Sequence, residues 1–236
     1  MGRCLEVLEG LGTQGSIEVL KFFCSFLVEN FEKMKKAEVI DDLELFLAKK
    51  PMASLERLKE KLERKWTVEA ILNFLKSTEK SLERTTDYAA KLLRGKVVLT
   101  LSNSVTLRDT FLKAKEISVF VQESLPGGEG KVLFESLREN GIEAFLIPDT
   151  LCFRYLREVD ACVIGADYVY PSGDVLNKVG SATLAVLCEH FRKPFLVVAD
   201  PSKFGKRFPK ETELFERVPS KLITAILTDP EGGTVC

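Results

Sequence analysis

In SIEVLKFFCSFLVENFEKMKK, apolar residues fall at 17, 19, 20, 22, 23, 26, 27, 28 and 31. That is the broad stripe of one helix face, with Ser16 standing where an N-cap belongs. EVIDDLELFLAKK (38–50) repeats the pattern over a shorter amphipathic helix. It has to end before Pro51, because proline pushes the preceding residue out of helical geometry. From Ser54 to Gly95 the chain stays helical in texture, with Leu55, Leu58 and Leu62 on one face and charges opposite. Ser54 and Thr67 are the expected caps and Gly95 the expected stop.

After Gly95 the period changes. KVVLTL, EISVFVQE, IEAFLIPD, ACVIGAD and PFLVVAD are short, nearly continuous apolar runs rich in β-branched residues. Helically spaced segments such as GEGKVLFESLRENG and VGSATLAVLCEHF separate them. Strands alternating with helices predict βαβ units and a parallel sheet covered on both faces. The expected fold class is therefore α/β: a helical N-terminal domain (1–94) followed by a Rossmann-like, mostly parallel sheet domain (95–236).

Composition narrows the function classes. Basic and acidic side chains nearly balance, 34 against 35, so direct nucleic-acid binding is not expected. No apolar run reaches the ~18–20 residues that span a bilayer, and no export signal opens the chain; a cytoplasmic location without membrane contact is expected. The six cysteines form no close pairs and the chain has one histidine, so neither a disulfide framework nor a metal site is expected. GGEG lacks dinucleotide-binding spacing, and no cofactor is expected.

Ligands of open parallel sheets gather beyond the carboxyl ends of the strands. The segments there are SNSVT (102–106), QESLPGGEG (122–130), PDT (148–150), GADYVYPSGDVLNK (165–178) and ADPSKF (199–204). They supply Ser102, Asn103, Glu123, Asp149, Gly165, Asp167, Asn177 and Lys178 as candidate ligand-binding residues. Each also has a plain structural reading. Asp167 can cap its own turn, Ser102 a helix starting near Asn103, and Asp149 the segment TLCFRYLREV. Asn177 and Lys178 can begin the next helix. Helix N-termini near Gly127–Gly130 and Lys178–Gly180 can hold an anion, and Lys203 and Lys206 either attract one or are loop charges. His190 sits within a predicted helix, away from the strand ends, so a serine–histidine triad is not expected.

The stretch GADYVYPSGDVLNKVGSATLAVLCEHFRKPFLVVADPSKF (165–204) resembles a family with three kinds of member: translation initiation factor 2B alpha, beta and delta subunits, methylthioribose-1-phosphate isomerase and ribose-1,5-bisphosphate isomerase. QESLP, GEGKVLFESLRENGIEAFLIPD and FERVPSKLITAILTD extend the resemblance, and the GTQGS turn with Gly15 joins it more loosely. The resemblance implies a catalytic aspartate at Asp167, a substrate-loop pair at Asn177 and Lys178, and dimerisation through the C-terminal domain. It also implies that Ser102 stands where the enzymes carry a cysteine and Leu125 where they carry an arginine. GTQGSIE lacks a further arginine. A serine hydroxyl without a base does not exchange protons near neutrality, and a leucine holds no phosphate. These departures imply a non-catalytic subunit of the initiation-factor type. Such a subunit works through a translation-factor or paralogous partner, with a sugar phosphate or nucleotide as ligand. The alternative is an aldose–ketose isomerase acting on a phosphorylated pentose through Asp167, with Glu123 and Asp149 the nearest further acids.

Overall fold

A computed structural model describes residues 3–11 and 15–231; Gly12, Thr13 and Gln14 of the GTQGS turn lie outside them. Helices α1 (Arg3–Gly10), α2 (Ser16–Asn30), α3 (Lys36–Lys49), α4 (Ala53–Arg64) and α5 (Val68–Leu93) precede the first strand. Leu20, Phe23, Leu27, Leu43, Leu55, Leu58 and Leu62 are withdrawn from solvent in one cluster, so the leucine stripe does face the core. Thr67 caps α5 as expected, its Oγ1 accepting from the Ala70 N–H at 3.2 Å. Two other expected caps are displaced. Gly15, not Ser16, is the N-cap of α2, and its N–H is taken by the Glu18 carboxylate at 3.1 Å. Helix α4 begins at Ala53 after Met52, one turn-position before Ser54, whose hydroxyl reaches the Ser16 carbonyl.

The second half contains β1 (Val97–Thr100), α6 (Val105–Lys113), β2 (Ser118–Gln122), α7 (Glu129–Glu139), β3 (Glu143–Ile147), α8 (Cys152–Tyr155) and β4 (Ala161–Ile164). It continues through β5 (Tyr168–Val169), β6 (Val175–Lys178), α9 (Ser181–Phe191), β7 (Phe195–Val198), β8 (Phe215–Val218) and β9 (Ala225–Leu227). The main sheet runs β3-β2-β1-β4-β7-β9, with every pairing parallel. Two apolar clusters cover its faces. The order reverses between β1 and β4, so their connections leave in opposite directions and open a crevice at their carboxyl ends. Helix α5 packs its last turns, Ala89, Ala90 and Leu93, against this sheet; the alanines let the backbone approach closely.

The small antiparallel sheet β5-β6-β8 is not apparent from the sequence pattern. It corrects the reading of Asn177 and Lys178, which belong to β6 and pair with Glu216 and Phe215, instead of opening a helix. Tyr168 ties this sheet to α4. Its hydroxyl donates to Glu56 Oε2 at 2.8 Å and accepts the Arg207 N–H at 2.7 Å.

Beyond β9, the buried Asp229 carboxylate receives Arg84 of α5 through both oxygens, at 2.9 Å from Nε. Burial opposes ionisation there, but the Arg84 bonds and the Glu231 N–H win, so the carboxyl loses its proton below the usual range. The resulting stability is present above the ordinary carboxylate pKa and disappears as pH falls through the lowered one. Asp229→Ala is expected to lower the thermal midpoint at pH 7. The gap from the parent should close as the pH falls through that lowered value, which scanning calorimetry across pH will measure.

Candidate functional site

The crevice between β1 and β4 holds a cavity of about 360 Å³, within the range of small-molecule sites. On one side β1 ends in Leu101 and the loop Ser102–Ser104. Ser102 adopts a left-handed φ of 65°, and its N–H donates to Ser124 Oγ at 2.6 Å. The cap of α6 is Ser104 and not Ser102: Ser104 Oγ accepts from the Leu107 N–H. On the other side β4 runs into Gly165, where a Cβ would come within 2.7 Å of Ser104 Oγ. Glycine there lets the end of β4 lie against the start of α6. Gly15 brings the start of α2 against the same loop, 3.6 Å from the Asn103 carbonyl for a built Cβ. Two helix N-termini, of α2 and α6, therefore line one cavity with the partial positive charge of their unpaired N–H groups.

Asp167 is held by its backbone. Its N–H donates to the Leu176 carbonyl at 3.0 Å, and its own carbonyl accepts the Ala53 N–H at 3.3 Å. Its carboxyl is surrounded by protein yet open to the cavity. Burial raises its pKa above the ordinary value, and the Lys203 and Lys50 ammoniums and the Ser16 hydroxyl only partly offset this. Lys203 is 4% exposed and bonds the Ser16 hydroxyl. Lys50, at the end of α3, has its pKa lowered first by burial, with Asp167 and Glu129 opposing and Lys178 adding to the shift. Lys178 pairs with Glu129 at 2.8 Å, both side chains largely buried. Lys49 also lines the cavity and pairs with Glu9 at 2.5 Å.

Of the residues singled out from the sequence, Gly15, Ser102, Asn103, Gly165, Asp167, Asn177 and Lys178 meet around this cavity. Asn177 is held by a bond from its amide to Ser181 Oγ at 2.9 Å. Glu123 and Asp149 stand outside the lining. Both Asp149 oxygens are engaged, by the Ser124 N–H at 2.7 Å and the Leu125 N–H at 2.8 Å, and Asp149 begins a short 3-10 turn after the Pro148 cap. Leu125 is 60% exposed and does not fill the cavity. Lys206 pairs with Glu60 on the surface, and Glu216 takes the Ala182 N–H at the start of α9. His190 is exposed on α9, edge-on to Phe191. Sequence reasoning missed Ser16, Lys50 and the rim Thr212–Phe215. It read Glu129 only as the mouth of a helix. No local pattern marks Lys50, a lysine at a helix end.

The pattern of the initiation factor 2 subunit family matches residues 34–227. A ribose 1,5-bisphosphate isomerase of Methanocaldococcus jannaschii is 27% identical over 215 residues, 76% of this chain and 70% of the relative. A Pyrococcus furiosus protein described as a putative translation initiation factor eIF-2B subunit 2-like is 32% identical over 150 residues, 61% of this chain and 54% of the relative. Among solved structures, the translation initiation factor eIF-2B of Pyrococcus horikoshii OT3 superposes with a TM-score of 0.83. Its identity is 25%, over 96% of this chain and 95% of that one.

Proposed function

The chain belongs to the initiation factor 2 subunit family, and on that footing we propose that its cavity binds a phosphorylated sugar and interconverts the sugar's aldose and ketose forms. One observation carries this reading: a half-buried carboxyl with a raised pKa, Asp167, facing the cavity among lysines at the switch point of a parallel sheet. Ring opening requires a proton on the ring oxygen, and a carboxyl that keeps its proton closer to neutrality is suited to give it. The phosphate has no arginine fork at Leu125. Lys50, Lys203 and the α2 and α6 N-termini supply positive charge instead, as point charges and aligned dipoles. The relatives named as ribose 1,5-bisphosphate isomerases support this reading over the non-catalytic one, which rests on Ser102 and Leu125 and on likeness to initiation-factor subunits.

The test is turnover of ribose 1,5-bisphosphate by the purified chain, followed by NMR of the ketose product. No product, with binding of the same compound seen by calorimetry, favours the second reading, a ligand-binding subunit. The observation behind that reading is Ser102 at the cysteine position. Lys50→Ala is expected to raise KM about tenfold or more with a smaller change in kcat, since a phosphate contact acts alike on ground and transition states. Initial-rate kinetics will separate the two.

A homodimer through the sheet half is part of the proposal. Phe145 is exposed on edge strand β3 and stacks on Phe120, which meets Tyr155 of α8, while exposed Phe153 of α8 packs on Phe191. An apolar surface of this kind on an edge is a usual interaction face. Light scattering at micromolar concentration tests it, and a monomer mass removes it.

A further inference from the structure

We propose that Glu129 is a second catalytic residue of this cavity, the base that takes the proton from the sugar hydroxyl beside the anomeric carbon; this rests on the isomerase reading above. An aldose–ketose interconversion needs two proton-transfer groups on the substrate, and Asp167 is only one. Ser102 has no histidine to activate it, since His190 lies exposed on α9. Both Asp149 oxygens are committed to backbone N–H groups, and Glu213 lies exposed at the rim. Glu129 remains.

Its placement is specific. Glu129 opens α7, and its side chain lies over Gly127: a Cβ on Gly127 would collide with the Glu129 carboxylate. Glycine at 127 is thus the seat that lets the carboxylate lie there. Lys178 holds Oε1 at 2.8 Å, while Oε2 is buried and has no hydrogen-bond partner among the described residues. An unpaired buried carboxylate oxygen is costly, and it persists where a ligand completes it. Lys50 feels both Asp167 and Glu129, so the two carboxyl groups share one cluster of ammoniums. Their surroundings differ in the way acid–base pairs require. Burial favours the acid form of Asp167, whereas Glu129 is held by the Lys178 ammonium.

The step balances with these groups alone. The bond between the anomeric carbon and the ring oxygen breaks, and Asp167 gives its proton to that oxygen. The hydrogen on C2 moves to C1 with its electron pair. The C2 hydroxyl becomes a carbonyl as its proton passes to Glu129 Oε2. Exchange with solvent then returns both carboxyls to their starting states.

Glu129→Gln keeps an acceptor for Lys178 and removes the base. With ribose 1,5-bisphosphate as probe, kcat is expected to fall about 100-fold or more with KM within about threefold. The loss falls on kcat and spares KM, which a purely structural role would not produce. Gly127→Ala, which displaces the Glu129 carboxylate without removing it, is expected to lower kcat about tenfold in a chain that still folds; it decides the matter if the glutamine variant does not fold. Turnover by the parent with kcat retained in Glu129→Gln, or an unaffected Gly127→Ala where the former is unfolded, overturns this assignment alone. No turnover by the parent overturns the isomerase reading and this one together.

Discussion

Asp167→Asn is expected to abolish isomerisation, by about 10³-fold or more in kcat, and at the same time to raise the thermal midpoint at pH 7. The two effects share a cause. Burial lifts the Asp167 pKa above its ordinary value, with Lys203, Lys50 and Ser16 only partly offsetting it. A raised carboxyl pKa means that the folded state binds its proton more tightly than the unfolded state does. The favourable contribution is therefore complete below the unfolded pKa and is lost as pH rises through the folded one. Above the unfolded pKa the parent bears the cost of a site that disfavours the charged carboxyl, a cost that an amide of the same shape does not carry. The stability gain should vanish in acid, where Asp167 is protonated in both states. In the parent, kcat should decline on the alkaline side as Asp167 gives up the proton it must donate. Melting curves of parent and variant across pH, beside initial rates, test both halves. A variant that is less stable at pH 7 would contradict the electrostatic account, and one that retains activity would remove Asp167 from the chemistry.

Phe111→Ala should cost about 3–5 kcal/mol of folding stability. The ring is fully buried in α6, in the cluster that joins α5 (Ala89, Leu93), the sheet (Val119, Val121) and α7 (Leu133, Leu137). Its loss removes the ring's transfer energy and leaves a cavity that three rigid elements cannot close. Against a usual total of ~5–15 kcal/mol, this is a large fraction. The same helix presents Ser104, Val105 and Thr106 to the functional cavity, so weaker ligand binding should accompany the lost stability. Leu72→Ala, on an exposed side chain of α5, is the contrast and should cost under about 1 kcal/mol. Urea unfolding of the two variants gives the comparison; equal losses would mean that Phe111 is not a keystone of that cluster.

The apolar periods made most of the scaffold legible. The stripe of Leu55, Leu58 and Leu62 and the five β-branched runs identify helices and parallel strands, because burial of one helix face or of a whole strand leaves a local imprint on the chain. The polar residues after ACVI and VVLTL were legible for the same reason, since a strand's carboxyl end is readable once the strand is. Caps were less so. Ser102 and Ser104 both suit an N-cap, and the cap is Ser104, whose backbone is extended where that of Ser102 is left-handed.

The sequence by itself determined the order of helices and strands, the family likeness and the residues at the ends of β1 and β4, all of which depend on neighbours a few positions apart. The tertiary structure alone decided that Lys50, Ser16 and Lys203 surround Asp167, that Glu129 lines the same cavity, that Asp149 serves backbone N–H groups, and that Leu125 stays outside the cavity. It alone paired Asn177 and Lys178 with a strand some forty residues onward. Such contacts leave no periodic trace. A lysine at a helix end reads the same whether it faces water or a buried carboxylate, and only the folded chain fixes which of these it meets.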